Sequence, residues 1–158
     1  MYDLWDTEIC SIYDDLAQKK FSSVYLVVAK DRQQHPLGLA VFIKENIKEH
    51  FKNELSYIID DGSLDSITTT DSEIFVELVA VGSQAQKMGI GKTLLFSIFD
   101  RCPSIKKLYL NTRVANKNAQ GFYEHLGFKR LVRAVKPWNT RYADFWREIL
   151  IYGFQKEQ

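Results

Sequence analysis

The sequence predicts a single α/β domain built on a mixed β-sheet. After Glu73, segments with the pattern of buried strands alternate with segments of helical periodicity, which is typical of α/β architecture. The length of 158 residues suits one hydrophobic core of ordinary size. Because no Pro- or Gly-rich linker and no internal repeat divides the chain, we expect one domain over residues 1–158.

The composition is that of an ordinary globular protein, with 46% hydrophobic and 26% charged residues. The formal net charge of +1 gives no bulk electrostatic reason to expect nucleic acid or an anionic membrane as a partner. No apolar run approaches the roughly 20 residues that span a bilayer, and acidic residues stand where a secretory signal would carry basic ones. Because Cys10 and Cys102 show no metal-ligand spacing, we expect a reduced, cytoplasmic protein.

The N-terminal half is predicted to contain a helix, a hairpin and a second short helix. The first helix is predicted from apolar residues at helical spacing, namely Trp5, Ile9, Ile12, Tyr13 and Leu16. The apolar segments 24–29 and 38–43 predict antiparallel strands joined by a polar turn at 31–36. Helical spacing returns between residues 47 and 58, and the polar, acidic stretch 60–72 is expected to be a loop.

The C-terminal half alternates more regularly. Strands are predicted at 74–81, 108–112, 128–135 and 148–154. A loop at 84–91 leads into a helix that runs to about Arg101, because Pro103 cannot continue it. Asn116 can cap a further helix, and Gly127 suits the left-handed residue at its end. The buried face of this helix is expected to carry Ala119, Phe122, Tyr123 and Leu126.

One segment is suited to binding a phosphate or a diphosphate. It follows a strand, opens a helix and reads Gln86-Lys87-Met88-Gly89-Ile90-Gly91-Lys92-Thr93. Glycines remove side-chain bulk, so that consecutive backbone N–H groups can close around an anion. The N-terminus of the following helix adds partial positive charge, and Lys87 and Lys92 add full charges. The alternative is a tight turn that binds no ligand.

Two familiar nucleotide motifs fail in this segment. Gly91-Lys92-Thr93 matches the end of a P-loop, but that pattern also needs glycine at position 86, which is Gln86. A dinucleotide fingerprint starting at Gly89 needs glycine at position 94, which is Leu94. A nucleotide-binding function therefore rests on Gly91-Lys92-Thr93 alone.

Two motifs carry a resemblance to a known family. Val79-Ala80-Val81 precedes the pattern Arg/Gln-x-x-Gly-x-Gly/Ala at residues 86–91. The second motif is matched by Asn116, Ala119, Tyr123, Gly127 and Phe128. Together, and separated by one helix and one strand, these motifs resemble the GNAT superfamily of N-acetyltransferases. The resemblance covers residues 73–128 well and the hairpin ending at Gly38 more loosely.

The resemblance implies the GNAT acyl-CoA N-acyltransferase fold, a mixed central sheet flanked by helices. Acetyl-CoA would lie in a V-shaped opening between strands 73–81 and 108–112, within a binding core at about 73–130. An acetyl group would pass to a primary amine in one ternary complex, without a metal. A small molecule, a peptide N-terminus or a lysine all fit as the acceptor, and both a monomer and a homodimer fit the sequence. The alternative is a non-catalytic acyl-CoA-binding or regulatory domain with the same fold.

The same resemblance assigns a set of residues to the co-substrate. They are Val79, Ala80, Val81, Gln86, Lys87, Met88, Gly89, Ile90, Gly91, Lys92, Asn116 and Tyr123. Backbone groups of Val79 and Val81 would pair with the pantetheine arm, and N–H groups at 86–92 would hold the diphosphate. A backbone N–H near Val79 would face the thioester oxygen, where negative charge develops.

Tyr123 and Glu77 are the candidate catalytic residues. A phenol can donate a proton to the departing CoA thiolate, although the spacing of Tyr123 from Ala119 also fits a buried aromatic. Glu77 is the candidate general base, because strand alternation would place it on one face with Val79 and direct it toward the reaction centre. A surface glutamate is the alternative for Glu77, and a simple helix cap is the alternative for Asn116.

Overall fold

The computed structural model describes residues 3–8, 23–55, 57–59, 64–67, 70–139 and 144–157. The chain divides into two compact units, each made of two separate stretches. The first unit comprises residues 1–45 and 74–106, and the second comprises residues 46–73 and 107–158. That all of these residues form one domain stays a prediction.

The first unit contains antiparallel strands in the order β1-β2-β3-β5. Their bounds are β1 Asp3–Glu8, β2 Ser23–Lys30, β3 Pro36–Lys44 and β5 Glu73–Val81. Helix α2 (Ile90–Arg101) packs against β2 and β3. The helix presents Leu94, Leu95 and Ile98 to this core, each at most 1% exposed. The predicted end of the helix at Arg101, before Pro103, is confirmed.

Strand β1 corrects the predicted N-terminal helix. Residues Asp3–Glu8 pair with β2 in a continuous antiparallel register, from Asp3 opposite Lys30 to Glu8 opposite Tyr25. The helical prediction is therefore wrong for this segment, since pairing with a distant strand outweighs a local spacing pattern. The rest of the predicted helix lies outside the described residues.

The second unit contains strands in the order β6-β8-β7-β4, with antiparallel neighbours. The strands are β4 Tyr57–Ile58, β6 Lys107–Arg113, β7 Lys129–Asn139 and β8 Asp144–Gln155, and the helices are α1 Ile47–Glu54 and α3 Lys117–His125. Strands β7 and β8 form a long hairpin that extends beyond the predicted segments 128–135 and 148–154. Val132, Ile151 and Tyr152 from this hairpin are fully buried.

Helix α1 is shorter than the spacing between residues 47 and 58 predicts. The Asn46 side chain caps it by accepting from the Glu49 N–H at 3.0 Å, and the helix ends at Glu54. Ile58 lies in β4 instead, opposite Ala134 of β7. The predicted loop at 60–72 includes a short 3₁₀ turn, Leu64–Ser66. Apolar spacing alone does not distinguish the end of this helix from the start of a short strand.

Candidate active site

The predicted phosphate-binding segment connects β5 to α2 in the first unit. Strand β5 ends at Val81, and the Gly82 N–H donates to the Leu37 carbonyl at 2.8 Å. A 3₁₀ turn, Ser83–Ala85, follows. The backbone then adopts positive φ twice, at Lys87 (63°) and at Gly89 (78°). Where right-handed and left-handed residues follow one another, successive backbone N–H groups can converge on one concavity that binds an anion.

Gly89 is the N-cap of α2, and the helix begins at Ile90. No side chain caps this end and its first turn holds no acidic residue. The first turn of a helix has N–H groups without carbonyl partners inside the helix, so these groups face outward with the positive end of the helix dipole. A Cβ placed on Gly89 would meet no atom within 4 Å, so the space beside its Cα is open. The arrangement suits an anion.

The side chains of the segment divide into an anchor and an exposed set. Ile90 is 1% exposed and fixes the start of α2 in the core. Gln86, Lys87 and Lys92 are exposed, and Met88 is 59% exposed. The two ammonium groups therefore lie at the surface, on either side of the helix start in sequence, where they add positive charge to that of the backbone.

Strand β5 contains a β-bulge before the phosphate-binding segment. In the register with β3, Val41 lies opposite Leu78 and Phe42 lies opposite Val76, so Glu77 is the additional residue. A bulge shifts the side-chain alternation of a strand by one residue and increases its local twist. The Glu77 side chain is exposed at this position.

The bulge changes which residues of β5 point to the same face of the sheet. Phe75 pairs with Ile43 and Val79 pairs with Ala40. Residues three apart on β3 point to opposite faces of the sheet, so their partners do as well. The prediction that alternate residues from Glu73 to Val81 share one face is therefore wrong. The role of Glu77 as a base stays a prediction, without the support of strand alternation.

Close packing of β3 against β5 explains why position 38 is a glycine. Gly38 lies opposite Val81, and a Cβ there would come within 2.7 Å of the Ala80 carbonyl oxygen. Such a contact would force one backbone away from the other, so only glycine allows this approach. Val79 and Val81 are half-buried, whereas Ala80 is exposed.

In the second unit, α3 starts with the predicted cap. The Asn116 Oδ1 accepts a hydrogen bond from the Ala119 N–H at 3.1 Å, which satisfies one of the free donors of the first turn. Gln120, one turn further on, donates from Nε2 to the carbonyls of Val114 (2.7 Å) and Arg113 (3.1 Å). Side-chain hydrogen bonds therefore fix the helix start to the end of β6. The capping interpretation of Asn116 is confirmed, and its contact with a co-substrate stays a prediction.

The other end of α3 is a Schellman motif that includes Tyr123. Gly127 has φ 97°, its N–H donates to the Glu124 carbonyl at 3.0 Å, and the Phe128 N–H donates to the Tyr123 carbonyl at 3.0 Å. Such motifs usually bring together the side chains at the positions that Tyr123 and Phe128 occupy. Their ring centroids lie 5.6 Å apart. The predicted left-handed role of Gly127 is confirmed.

The Tyr123 ring lies among aromatic neighbours. Phe122, Phe128 and Tyr152 have ring centroids 5.3, 5.6 and 6.3 Å from it. Tyr123 is half-buried, and burial raises the pKa of its phenol above the ordinary value of 10.0. The phenol therefore keeps its proton at neutral pH and can act as a donor.

The predicted buried face of α3 needs correction. No residue of α3 is fully buried, and Phe122 is 37% exposed. Ala119, Tyr123 and Leu126 are half-buried. Four apolar residues at helical spacing predict the packed side of the helix, but they do not predict how much of that side its neighbours cover.

The predicted site residues thus form two groups. In the first unit, residues 79–81 lead into the turn at 86–92 at the start of α2. In the second unit, Asn116 and Tyr123 lie near opposite ends of α3. Sequence reasoning did not find Gln120, Glu124 or Tyr152, which hold this helix in place through hydrogen bonds. No local pattern marks them, because their partners are set by tertiary packing.

Comparison with known proteins identifies the family. A model described as Acetyltransferase (GNAT) family matches residues 2–128. The chain belongs to the GNAT acetyltransferase family. The predicted resemblance and enzyme class, an acyltransferase, are confirmed. No curated protein sequence matches the chain.

Solved structures of other proteins share the GNAT fold. Arabidopsis thaliana NAA60, in complex with a bisubstrate analogue, is 14% identical, with 98% of both chains covered and a TM-score of 0.63. A Bacillus subtilis acetyltransferase in complex with CoA is 11% identical, with 98% of this chain and 99% of that chain covered and a TM-score of 0.61. The ribosomal-protein-S18-alanine N-acetyltransferase from Escherichia coli is 13% identical, with 99% and 96% covered and a TM-score of 0.59. The predicted fold class is therefore confirmed.

Two other kinds of feature are absent from the described residues. Within this part of the chain, no group of three or more His, Cys, Asp or Glu side chains is arranged to hold a metal ion. No helix in the same part of the chain has the length and apolar character needed to cross a membrane.

Proposed function

We propose that this protein transfers an acetyl group from acetyl-CoA to a primary amine, with both substrates bound at the same time. Membership of the GNAT family supports the transfer of an acetyl group, and the structure of the start of α2 supports acetyl-CoA as the donor of that group. The observation that carries the proposal is a helix start that has no side-chain cap, no acid in its first turn, and a left-handed glycine before it. These features favour a diphosphate, which CoA contains.

Residues 86–92 would hold the diphosphate of CoA through backbone N–H groups. Lys87 and Lys92 are exposed and would add charge without needing a fixed geometry. Val79 and Val81 would pair with the pantetheine arm through backbone groups, and Asn116 would contact the same ligand with the part of its amide that does not cap α3. When bound, acetyl-CoA supplies the activated acyl carbon that the amine attacks.

Tyr123 would donate a hydrogen bond to the sulfur that leaves. Its raised pKa keeps the phenol protonated, whereas an ordinary thiol has a pKa of about 8.5. Complete proton transfer from phenol to thiolate is uphill by at least about 2 kcal/mol at 1.36 kcal/mol per pKa unit. A hydrogen bond to the developing thiolate stabilises it before any transfer is complete, so the phenol contributes from the start of C–S cleavage.

The amine must lose a proton before it attacks. At an ordinary lysine pKa of about 10.4, roughly one molecule in 2,500 is neutral at pH 7, which costs about 4.6 kcal/mol. An α-amino group with a pKa near 8 costs only about 1.4 kcal/mol. A base therefore matters more for a lysine than for an N-terminus. We propose the exposed carboxylate of Glu77 for this task, directly or through a water molecule.

Calorimetric titration with acetyl-CoA, with ATP as the control ligand, tests the donor. We expect saturable binding of acetyl-CoA at one site and no comparable binding of ATP. Turnover is then measured as thiol release with four amines: spermidine, an α-blocked lysine, a peptide with N-terminal alanine, and kanamycin. Binding without turnover of any of them would favour a non-catalytic acyl-CoA-binding domain. Folded protein that does not bind acetyl-CoA would overturn the proposal.

Two variants separate the proposed chemical roles. Tyr123→Phe keeps the ring and removes the donor, and we expect kcat to fall about 100-fold, as for loss of a general acid. Glu77→Gln should lower the rate more for the lysine than for the peptide N-terminus, because the lysine carries the larger deprotonation cost. Equal losses with both amines would contradict the base assignment and leave the donor site unaffected.

A further inference from the structure

Tyr152 of β8 makes a hydrogen bond to the helix that carries Tyr123. Its side chain is fully buried, and its hydroxyl donates to the Glu124 Oε1 at 2.8 Å. Glu124 directly follows Tyr123 in the last turn of α3. A buried strand residue is thus bonded to the turn that sets the direction of the Tyr123 side chain.

The ring of Tyr152 also contacts the ring of Tyr123. The two centroids lie 6.3 Å apart with the planes tilted by 43°, within the range of favourable aromatic pairs. Phe128 lies 5.6 Å from Tyr123, and the Schellman motif fixes its position. The phenol of Tyr123 therefore depends for its placement on one aromatic ring from its own helix end and one from β8.

We infer that Tyr152 is a positioning residue for Tyr123, acting through its hydrogen bond to Glu124 and through ring contact. This inference rests on the proposed role of Tyr123 as the donor to the leaving sulfur. The hydrogen bond fixes the last turn of α3, and the ring limits the rotation of the Tyr123 side chain. Tyr152 itself touches neither substrate in this scheme.

The hydrogen bond persists over the working range of an enzyme. Burial, followed by the hydrogen bond and the charge of Glu124, raises the pKa of Tyr152 to about 12. The hydroxyl therefore keeps its proton at any physiological pH and always donates. A bond from a hydroxyl to a carboxylate is charge-assisted and stronger than one between neutral groups. It is a suitable means of holding one helical turn.

Tyr152→Phe tests the hydrogen bond while keeping the ring. Misplacement of a catalytic group by about 1 Å can cost about 100-fold in rate, so loosening of the turn is expected to lower kcat roughly 10-fold. KM for acetyl-CoA should change less than about twofold, because the proposed diphosphate-binding turn is formed by residues 86–92 and does not include Tyr152. Thiol release is measured with whichever of the four amines named above is acetylated fastest by the wild type. Tyr25→Phe in β2 removes a phenol hydroxyl from the other unit and should leave kcat unchanged.

A double-mutant cycle separates positioning from a general structural effect. If Tyr152 acts through the Tyr123 hydroxyl, Tyr152→Phe should lower kcat in the wild type but not in the Tyr123→Phe background. The same fold loss in both backgrounds would show a structural role only and overturn the inference. Glu124→Gln keeps an oxygen that can accept from Tyr152 and should retain most of kcat, whereas Glu124→Ala should match Tyr152→Phe.

The variants also keep this inference apart from the proposed function. If Tyr123→Phe leaves kcat unchanged, the donor role itself fails. If Tyr123→Phe lowers kcat while Tyr152→Phe and Glu124→Ala do not, only the positioning role fails. Glu124 is exposed, so its variants remain informative even if Tyr152→Phe does not fold.

Discussion

Comparing Gly89 with Gly121 isolates the effect of backbone conformation at a single residue on stability. A Cβ added to Gly89 or to Gly121 would meet no atom within 4 Å. Gly89 has φ 78° at the start of α2, whereas Gly121 lies inside α3 without a positive φ. Space is equal at the two positions, so any difference between their alanine variants comes from the backbone.

We expect the two alanine substitutions to have opposite effects on stability. Gly89→Ala should cost about 1 kcal/mol, because an alanine in left-handed conformation is strained. Gly121→Ala should gain about 1 kcal/mol, because alanine loses less entropy than glycine in a helix. Urea unfolding measures both, and acetyl-CoA titration should show weaker binding for Gly89→Ala alone. Equal changes in stability would contradict the conformational explanation.

At the scale of the element, α3 is fixed at both ends by side chains. Asn116 caps its start, Gln120 bonds to the end of β6, and Tyr152 bonds to Glu124 in its last turn. Its own residues are at most half-buried. A helix of nine residues is too short to be stable alone, so these bonds and the packing of its half-buried side determine where Tyr123 lies.

The cap of α3 can be separated from a contact with the co-substrate. Asn116→Ala should lower stability by about 1 kcal/mol through loss of the cap. Asn116→Asp keeps a capping oxygen and adds negative charge near the positive end of the helix, so stability should return. If Asn116 also contacts CoA, the aspartate should weaken acetyl-CoA binding by repelling its phosphates. Thermal unfolding and calorimetry on the two variants measure these effects independently.

Local signals predicted the ends of α3 well, because a cap and a left-handed glycine act within a few residues. Asn116 and Gly127 both have the conformations expected from the sequence. The bulge at Glu77 could not be predicted in this way, since it exists only in the register between β5 and β3. Strand β1 also depends on pairing with residues 25–30. Features that need a distant partner were therefore missed.

At the scale of the whole molecule, each compact unit is assembled from two stretches of chain. One buried tyrosine, Tyr152, couples the stability of the protein to alkaline pH. The folded-state pKa of Tyr152 is about 12, above the ordinary value of 10.0. A raised pKa means that the folded state prefers the protonated phenol. This contribution to stability is fully present below pH 10 and is lost as the pH rises to about 12.

We expect Tyr152→Phe to lose this pH dependence. Below pH 10 the wild type should be the more stable protein, because it keeps the hydrogen bond to Glu124 and the protonated buried phenol. Between pH 10 and about 12 the difference in free energy of unfolding should shrink. Urea unfolding of both proteins at several pH values measures the difference. A constant gap across this range would show that the folded-state pKa of Tyr152 is not raised.

The two-stretch construction of the second unit has a consequence for synthesis. Tyr57 in β4 pairs with Val135 in β7, which leaves the ribosome 78 residues later. At roughly 5–20 residues per second, this partner arrives about 4–16 s after β4. Ile47 and Phe51 of α1 are fully buried in the folded protein. During that interval the C-terminal stretch of their unit has not yet been synthesised, so these apolar side chains lack part of the core that covers them. Slow translation would lengthen the interval in which these apolar side chains are uncovered, and would favour aggregation or chaperone binding of the nascent chain.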